Sequence, residues 1–109
     1  MIGLRLYLAQ RLSAFLMAPL VIGHIATMIY AVQNGLTASE ILDRTQGSLW
    51  WGAFYGLFVG AVSVHAAIGL RAIAFETLNL PVRWLNPLTW MVGIVLALLG
   101  GRAVAAVVF

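Results

Sequence analysis

Hydrophobic residues along the chain form three long stretches, separated by two short polar segments. The stretches cover about residues 12–33, 48–75 and 88–109, and each exceeds the ~20 residues that a helix needs to cross a bilayer core of ~30 Å. Because a helix satisfies its own backbone hydrogen bonds in lipid, we interpret all three as transmembrane helices. The pattern predicts an all-α membrane protein, in which residues 1–109 form a single transmembrane domain within a multi-chain helix bundle.

The two polar segments carry signals for turns and helix ends. In the first, residues 33–48, the Thr37-x-x-Glu40 pattern is typical of a capping box and predicts a short helical turn. The second segment contains Pro81 and Pro87, which we expect to stop any helix from running through it.

Composition supports a membrane protein and excludes several classes. The chain is 63% hydrophobic and 8% charged, whereas soluble domains carry about 25% charged residues. This excludes a soluble enzyme and a disordered tail, and the lack of cysteine excludes a disulfide scaffold. The net charge of +3 comes from scattered arginines without a basic patch, which argues against nucleic-acid binding.

The distribution of arginine predicts the orientation in the membrane. Four arginines belong on one side, with Arg44 and Arg102 on the other: Arg5, Arg11, Arg71 and Arg83. The positive-inside rule then places the N-terminus in the cytoplasm and the C-terminus outside. All four tryptophans fall near predicted helix ends, where an aromatic belt would lie.

His65 is the most informative polar residue inside an apolar stretch, since ionisable groups at membrane depth are costly. Along the helix axis it lies ~9 Å from Arg71 and ~21 Å from Trp51. Its axial neighbours Ala61 and Gly69 are small and leave room for a planar macrocycle bound to the imidazole. Haem ligation is therefore one interpretation, and a hydrogen bond to a neighbouring helix is the other.

His24 lies ~10 Å farther from the cytoplasmic face than His65. Its axial neighbours are bulkier, and Thr27 is a candidate hydrogen-bond partner. A second haem, an interhelical hydrogen bond and a quinone contact all remain open for this residue. Pro19 is expected to kink the helix or open its backbone locally.

Several polar side chains fall at the cytoplasmic boundary. Tyr7, Arg11 and Ser13 are candidates for hydrogen bonds to a quinone carbonyl. Arg11 and Arg71 lie at the same membrane level, where they either extend to lipid headgroups or pair with the carboxylates of a bound cofactor.

Glycines at positions 52, 56 and 60 form a small-xxx-small pattern. This pattern predicts close packing against another helix of this chain or of a partner.

Two segments resemble a known family. The run from His65 to Arg71, with Gly69 and Leu70 before the arginine, resembles the haem-ligating helix of the cytochrome b membrane anchor of succinate dehydrogenase and fumarate reductase (complex II). The segment from Gln10 to Ala14 is similar to that family's His-Arg-x-Ser-Gly segment, which lies near the quinone and the haem propionates. Length and predicted orientation also fit.

The resemblance implies roles for individual residues. His65 would be an axial ligand of a b-type haem, with the second ligand supplied by a different membrane chain or a second copy of this one. Arg11 would face a propionate or the quinone, Ser13 matches the motif serine, and Arg71 would lie near a propionate. His24 matches the first-helix histidine of two-haem anchors.

Some positions depart from the family pattern. Gln10 replaces the usual histidine and Ala14 the glycine, while Tyr7 stands where many members have a quinone-contacting serine. These departures affect the quinone site more than the haem ligand.

The expected function is that of a membrane anchor and haem b/quinone-binding subunit of a succinate:quinone oxidoreductase, in the bacterial cytoplasmic membrane rather than the mitochondrial inner membrane. Its partners would be an iron–sulfur subunit, a flavoprotein subunit and membrane lipid, and the dicarboxylate site would not be on this chain. Two alternatives are a small membrane transporter subunit and a haem-free structural anchor.

Overall fold

The structure, a computed structural model, describes residues 3–109, which form four helices. They are α1 (Leu4–Asn34), α2 (Ala38–Thr45), α3 (Leu49–Leu78) and α4 (Val82–Val108). Three of these helices, α1, α3 and α4, are long and apolar enough to span a membrane. The described residues are therefore all-α, as the apolar pattern predicts.

The central helix of the bundle is α3, which packs against α1 on one side and α4 on the other. In each of these helix pairs, residues later in one helix contact residues earlier in the other. Ser13 meets His65 while Gly23 meets Phe54, so α1 and α3 are antiparallel. Short connections between successive helices favour this arrangement.

Small residues bring α4 close to α3. A Cβ built on Gly100 would lie 2.5 Å from Val59 Cγ1, and one on Gly93 would lie 3.5 Å from the Cβ of Ala67. Such close backbone approach is typical of membrane helix pairs.

The glycine pattern at positions 52, 56 and 60 contributes less to packing within the chain. Gly52 faces Val108, with 3.3 Å between a built Cβ and Val108 Cγ1. Around Gly56 and Gly60 no atom lies within 4 Å of a built Cβ. Most of this face is therefore not covered by the described residues.

The predicted capping box is confirmed at the start of α2. The backbone N–H of Glu40 donates to Thr37 Oγ1 at 3.2 Å, and Thr37 N donates to Glu40 Oε2 at 3.1 Å. Hydrogen bonds from the Thr37 side chain and backbone hold the pKa of the Glu40 carboxyl below its usual value. Gly35, with φ +135°, has no room for a side chain beside that carboxylate.

The end of α2 is tied to the last turn of α4. Thr45 Oγ1 lies 2.6 Å from the Val107 carbonyl, and Gly47 N donates to the Val108 carbonyl at 2.6 Å. These carbonyls lie in the last turn of a helix, where no intrahelical donor remains. The polar connection therefore supplies donors to two carbonyls in the last turn of α4.

Two helices begin earlier than the apolar pattern predicts. In α1 the first helical residue is Leu4 rather than residue 12, and Pro19 lies inside the helix. In α4 Pro81 is the N-cap, but Pro87 lies inside the helix and does not stop it. Neighbouring groups and water can satisfy the backbone group that a proline leaves free in a membrane helix.

Trp50 and Trp84 are well exposed in the first turns of α3 and α4, as an aromatic belt requires. Trp90 is also exposed but lies ~12 Å along α4 from Val82. Trp51 differs, because its ring stacks on Tyr55 with 5.5 Å between centroids. It contributes to packing within α3 as well as lying near the helix end.

Candidate functional site

His65 lies half-buried in the seam between α1 and α3. Its Nδ1 atom is 3.3 Å from Ser13 Oγ, and Ser13 is only 5% exposed. Ser13 Oγ also donates to the Gln10 carbonyl at 2.9 Å. The interhelical hydrogen bond considered for this histidine is therefore present, and it occupies only one of the two ring nitrogens.

The space beside the small neighbours of His65 is partly filled by other residues. Ala61 is buried, and a Cβ built on Gly69 would lie 3.6 Å from Gln10 Nε2. The space that the sequence interpretation reserved for a macrocycle at Gly69 is therefore taken by α1. The other amide atom, Gln10 Oε1, is buried and has no hydrogen-bond partner among residues 3–109.

The polar residues of α1 do not form one cluster. The Arg11 guanidinium carbon lies 5.9 Å from the Tyr7 ring centroid, and both residues are exposed. Ser13 lies on another face, because two residues turn a helix by about 200°. Its buried hydroxyl faces α3 rather than the lipid boundary that we expected for a quinone contact.

Arg71 binds two neutral side chains of α4. Its Nη1 donates to Asn86 Oδ1 at 2.8 Å and lies 3.4 Å from Thr89 Oγ1. A guanidinium has five N–H donors, so most of them remain for another acceptor. The sequence analysis did not identify Asn86 and Thr89 as partners of Arg71. Their position at the same membrane level as this arginine was a signal that could have identified them.

A groove of about 520 Å³ opens beside this arginine. Its lining is mostly apolar and comes from α1, α3 and α4, including Leu6, Ala67, Trp90 and Gly93, with Arg71 among the few polar residues. An elongated ligand with a polar head and an apolar body suits such a lining.

His24 lies in a different environment, farther along α1 from its N-terminal end. Its ring meets Phe58 and Tyr55 edge-on, with centroid distances of 5.0 and 6.2 Å. The Thr27 hydroxyl donates to the Gly23 carbonyl at 2.8 Å, and no hydrogen bond joins it to His24 among the described residues. His24 also lines a second groove of about 480 Å³.

The two histidines cannot bind one metal ion together. Phe58, which contacts His24, precedes His65 by seven residues, or ~10 Å along α3. Axial ligands of one haem iron must approach each other across a single atom. Any second protein ligand of an iron held by His65 would therefore be a residue other than His24.

The fold and this site define the class of protein: a small transmembrane helix bundle with a histidine facing a helix seam and arginines near one end. A family model described as succinate dehydrogenase/fumarate reductase transmembrane subunit matches residues 2–101. The chain belongs to this family, and it is therefore a membrane subunit of the complex II type of oxidoreductase. Comparisons with curated proteins and with solved structures each gave no match.

Proposed function

We propose that the chain is the haem b- and quinone-binding membrane anchor of a succinate:quinone oxidoreductase, passing electrons between an iron–sulfur subunit and membrane quinone. The observation that carries the proposal is the placement of His65. It is an imidazole inside a membrane-spanning helix, and Nε2 has no hydrogen-bond partner among residues 3–109. A free imidazole nitrogen in apolar surroundings is a good iron ligand.

His65 and Arg71 supply groups that one side of a haem site needs, while Gln10 of α1 fills the space beside Gly69. His65 would hold the iron, and the remaining donors of Arg71 would bind a propionate. When bound, the haem supplies a one-electron reservoir within the membrane. Gln10 Oε1 is a buried acceptor without a hydrogen-bond donor among residues 3–109, which agrees with a helix interface that other chains complete.

Quinone chemistry belongs at the cytoplasmic boundary in this proposal. Arg11 would donate a hydrogen bond to a quinone carbonyl, and the Tyr7 hydroxyl would supply or relay a proton there. Both side chains are exposed on this chain and are therefore accessible to a membrane-borne ligand. Ser13 is not part of this quinone site, because its hydroxyl is buried between Gln10 and His65.

Membership of the family supports association with the other subunits of such a complex. In the proposed arrangement these are a flavoprotein, an iron–sulfur subunit and a second membrane chain that supplies the other haem ligand. The N-terminus would lie in the cytoplasm, in a bacterial cytoplasmic membrane, so that the arginine-rich end faces the soluble subunits.

His65→Ala in the purified complex tests the haem ligand. We expect most of the b-type absorption in the Soret and α bands to be lost while the subunits still assemble, because no other histidine of this chain can reach the same iron. His24→Ala is the matched control, since it removes the same side chain from another level of the bundle.

The number of haem groups per complex distinguishes a one-haem site, a two-haem site and a haem-free anchor. One haem per complex, unchanged in His24→Ala, supports a single site at His65; loss of a second haem in His24→Ala would assign that histidine to iron as well. Full haem content in His65→Ala would overturn the ligand assignment. A colourless wild-type complex with normal quinone reduction would indicate a haem-free anchor.

A further inference from the structure

We infer that Ser13 is a positioning residue for His65: its hydroxyl accepts a hydrogen bond from Nδ1–H and so leaves Nε2 free to bind iron. This inference rests on the proposed haem site and deepens it. It moves Ser13 from the quinone contact that the sequence motif suggests to a role behind the iron ligand.

The direction of each hydrogen bond follows from the number of protons available. A serine hydroxyl has one proton, and Ser13 Oγ lies 2.9 Å from the Gln10 carbonyl, which can only accept. The proton therefore points at that carbonyl. Toward His65 Nδ1, at 3.3 Å, the oxygen presents a lone pair, and for both bonds to form Nδ1 must carry the hydrogen.

The tautomer of the imidazole is determined by this bond. In a neutral imidazole one ring nitrogen carries the proton and the other is an acceptor. With the proton on Nδ1, the lone pair is on Nε2. A metal-ligating histidine usually donates its second N–H to a fixed acceptor in this way, which orients the ring and raises its basicity as a ligand.

The surroundings hold the acceptor in place. Ser13 is 5% exposed, so water does not compete freely for its oxygen. Its bond to the Gln10 carbonyl is internal to α1, and Gln10 packs against Gly69 of α3. The hydroxyl is thus held by α1 at the level where α3 presents the histidine.

Ser13→Ala in the assembled complex tests this inference through the haem rather than through turnover. Loss of the acceptor lowers the basicity of His65 and so favours ferrous over ferric iron. We expect the haem midpoint potential to rise and the g-values of the ferric haem in electron paramagnetic resonance to change. Ser13→Thr keeps a hydroxyl and should restore wild-type values.

Ser63→Ala is the matched control. Ser63 is also buried, and its hydroxyl donates to the Val59 carbonyl of its own helix at 2.7 Å, without a bond to His65. Its loss removes a comparable intrahelical hydrogen bond and should leave the haem potential unchanged. If Ser13→Ala does not assemble, Ser13→Cys serves instead, because a thiol keeps the packing but accepts only weakly.

The outcomes separate this inference from the proposed function. If His65→Ala keeps its haem, the haem site itself is wrong. If His65→Ala loses haem while Ser13→Ala, or Ser13→Cys in its place, matches wild type in potential and g-values, the role of Ser13 is wrong. A shift in that variant, rescued by Ser13→Thr and absent in Ser63→Ala, supports it.

Discussion

Each histidine of the chain has a different kind of neighbour. His65 faces a hydroxyl across the α1–α3 seam, whereas His24 meets the edges of two aromatic rings. A hydrogen bond orients an imidazole more strictly than contact with a ring does. Of the two, His65 is therefore the side chain whose orientation is better defined by its own chain.

Arg11→Ala should slow quinone reduction more than it affects assembly. The side chain is exposed and lies beside the Tyr7 ring, and no hydrogen bond joins it to another residue in the described range 3–109, so its removal leaves no described buried group unpaired. A hydrogen bond to a charged group contributes about 1.5–3 kcal/mol, which corresponds to a fall of about tenfold or more in kcat/KM for quinone. Steady-state kinetics of the purified complex measure this.

Arg102→Ala is the control for Arg11→Ala, because Arg102 is an exposed arginine near the opposite end of the bundle. It should leave quinone kinetics unchanged. Equal kinetics for wild type and Arg11→Ala would remove Arg11 from the proposed quinone site.

The sequence identifies candidate residues such as His65, but it does not identify the side chains that they contact. His65 stands out because it interrupts an apolar run. Its contact with Ser13 depends on the rotation of α1 about its axis, and α1 is apolar on nearly all sides, so the hydrophobic pattern does not define a buried face. The same ambiguity led us to group Ser13 with Arg11.

At the scale of helices, close packing depends on individual glycines rather than on their pattern. Gly100 and Gly101 are adjacent, but only the first faces Val59 of α3. The regular spacing at positions 52, 56 and 60 gives one contact within the chain, at Gly52. A small-xxx-small motif therefore does not identify its partner helix.

Gly100→Ala should weaken packing between α3 and α4. The added Cβ would lie 2.5 Å from Val59 Cγ1, and relieving such an overlap costs about 1–3 kcal/mol. The thermal midpoint of the purified complex should fall. Gly101→Ala is the control, since nothing lies within 4 Å of its built Cβ; an equal loss in both variants would contradict the assigned contact.

Helix ends were harder to predict than helix cores. An apolar count begins α1 at residue 12 because Arg5, Gln10 and Arg11 lower the local hydropathy, yet long polar side chains are tolerated near the interface, where they extend to water. Because proline lacks a backbone N–H, the sequence predicts that Pro87 stops the helix. Packing of α4 on α3 outweighs that local preference.

For the molecule as a whole, the proposed orientation places α2 outside the cell and the α3–α4 connection in the cytoplasm. The chain has no cysteine, so single-cysteine variants can be labelled without background. In spheroplasts, Ser39→Cys should react with a membrane-impermeant maleimide, and Thr77→Cys only after permeabilisation. Both positions are exposed; the reverse result would invert the orientation.

Since α1 and α4 both pack on α3, most of their surface is left to lipid or to other chains. Partner chains that bind this surface then stabilise the folded state of this chain by mass action. Copies synthesised in excess of their partners would open more often and be degraded. The cellular amount of this chain should therefore follow the supply of its partner subunits rather than its own rate of synthesis.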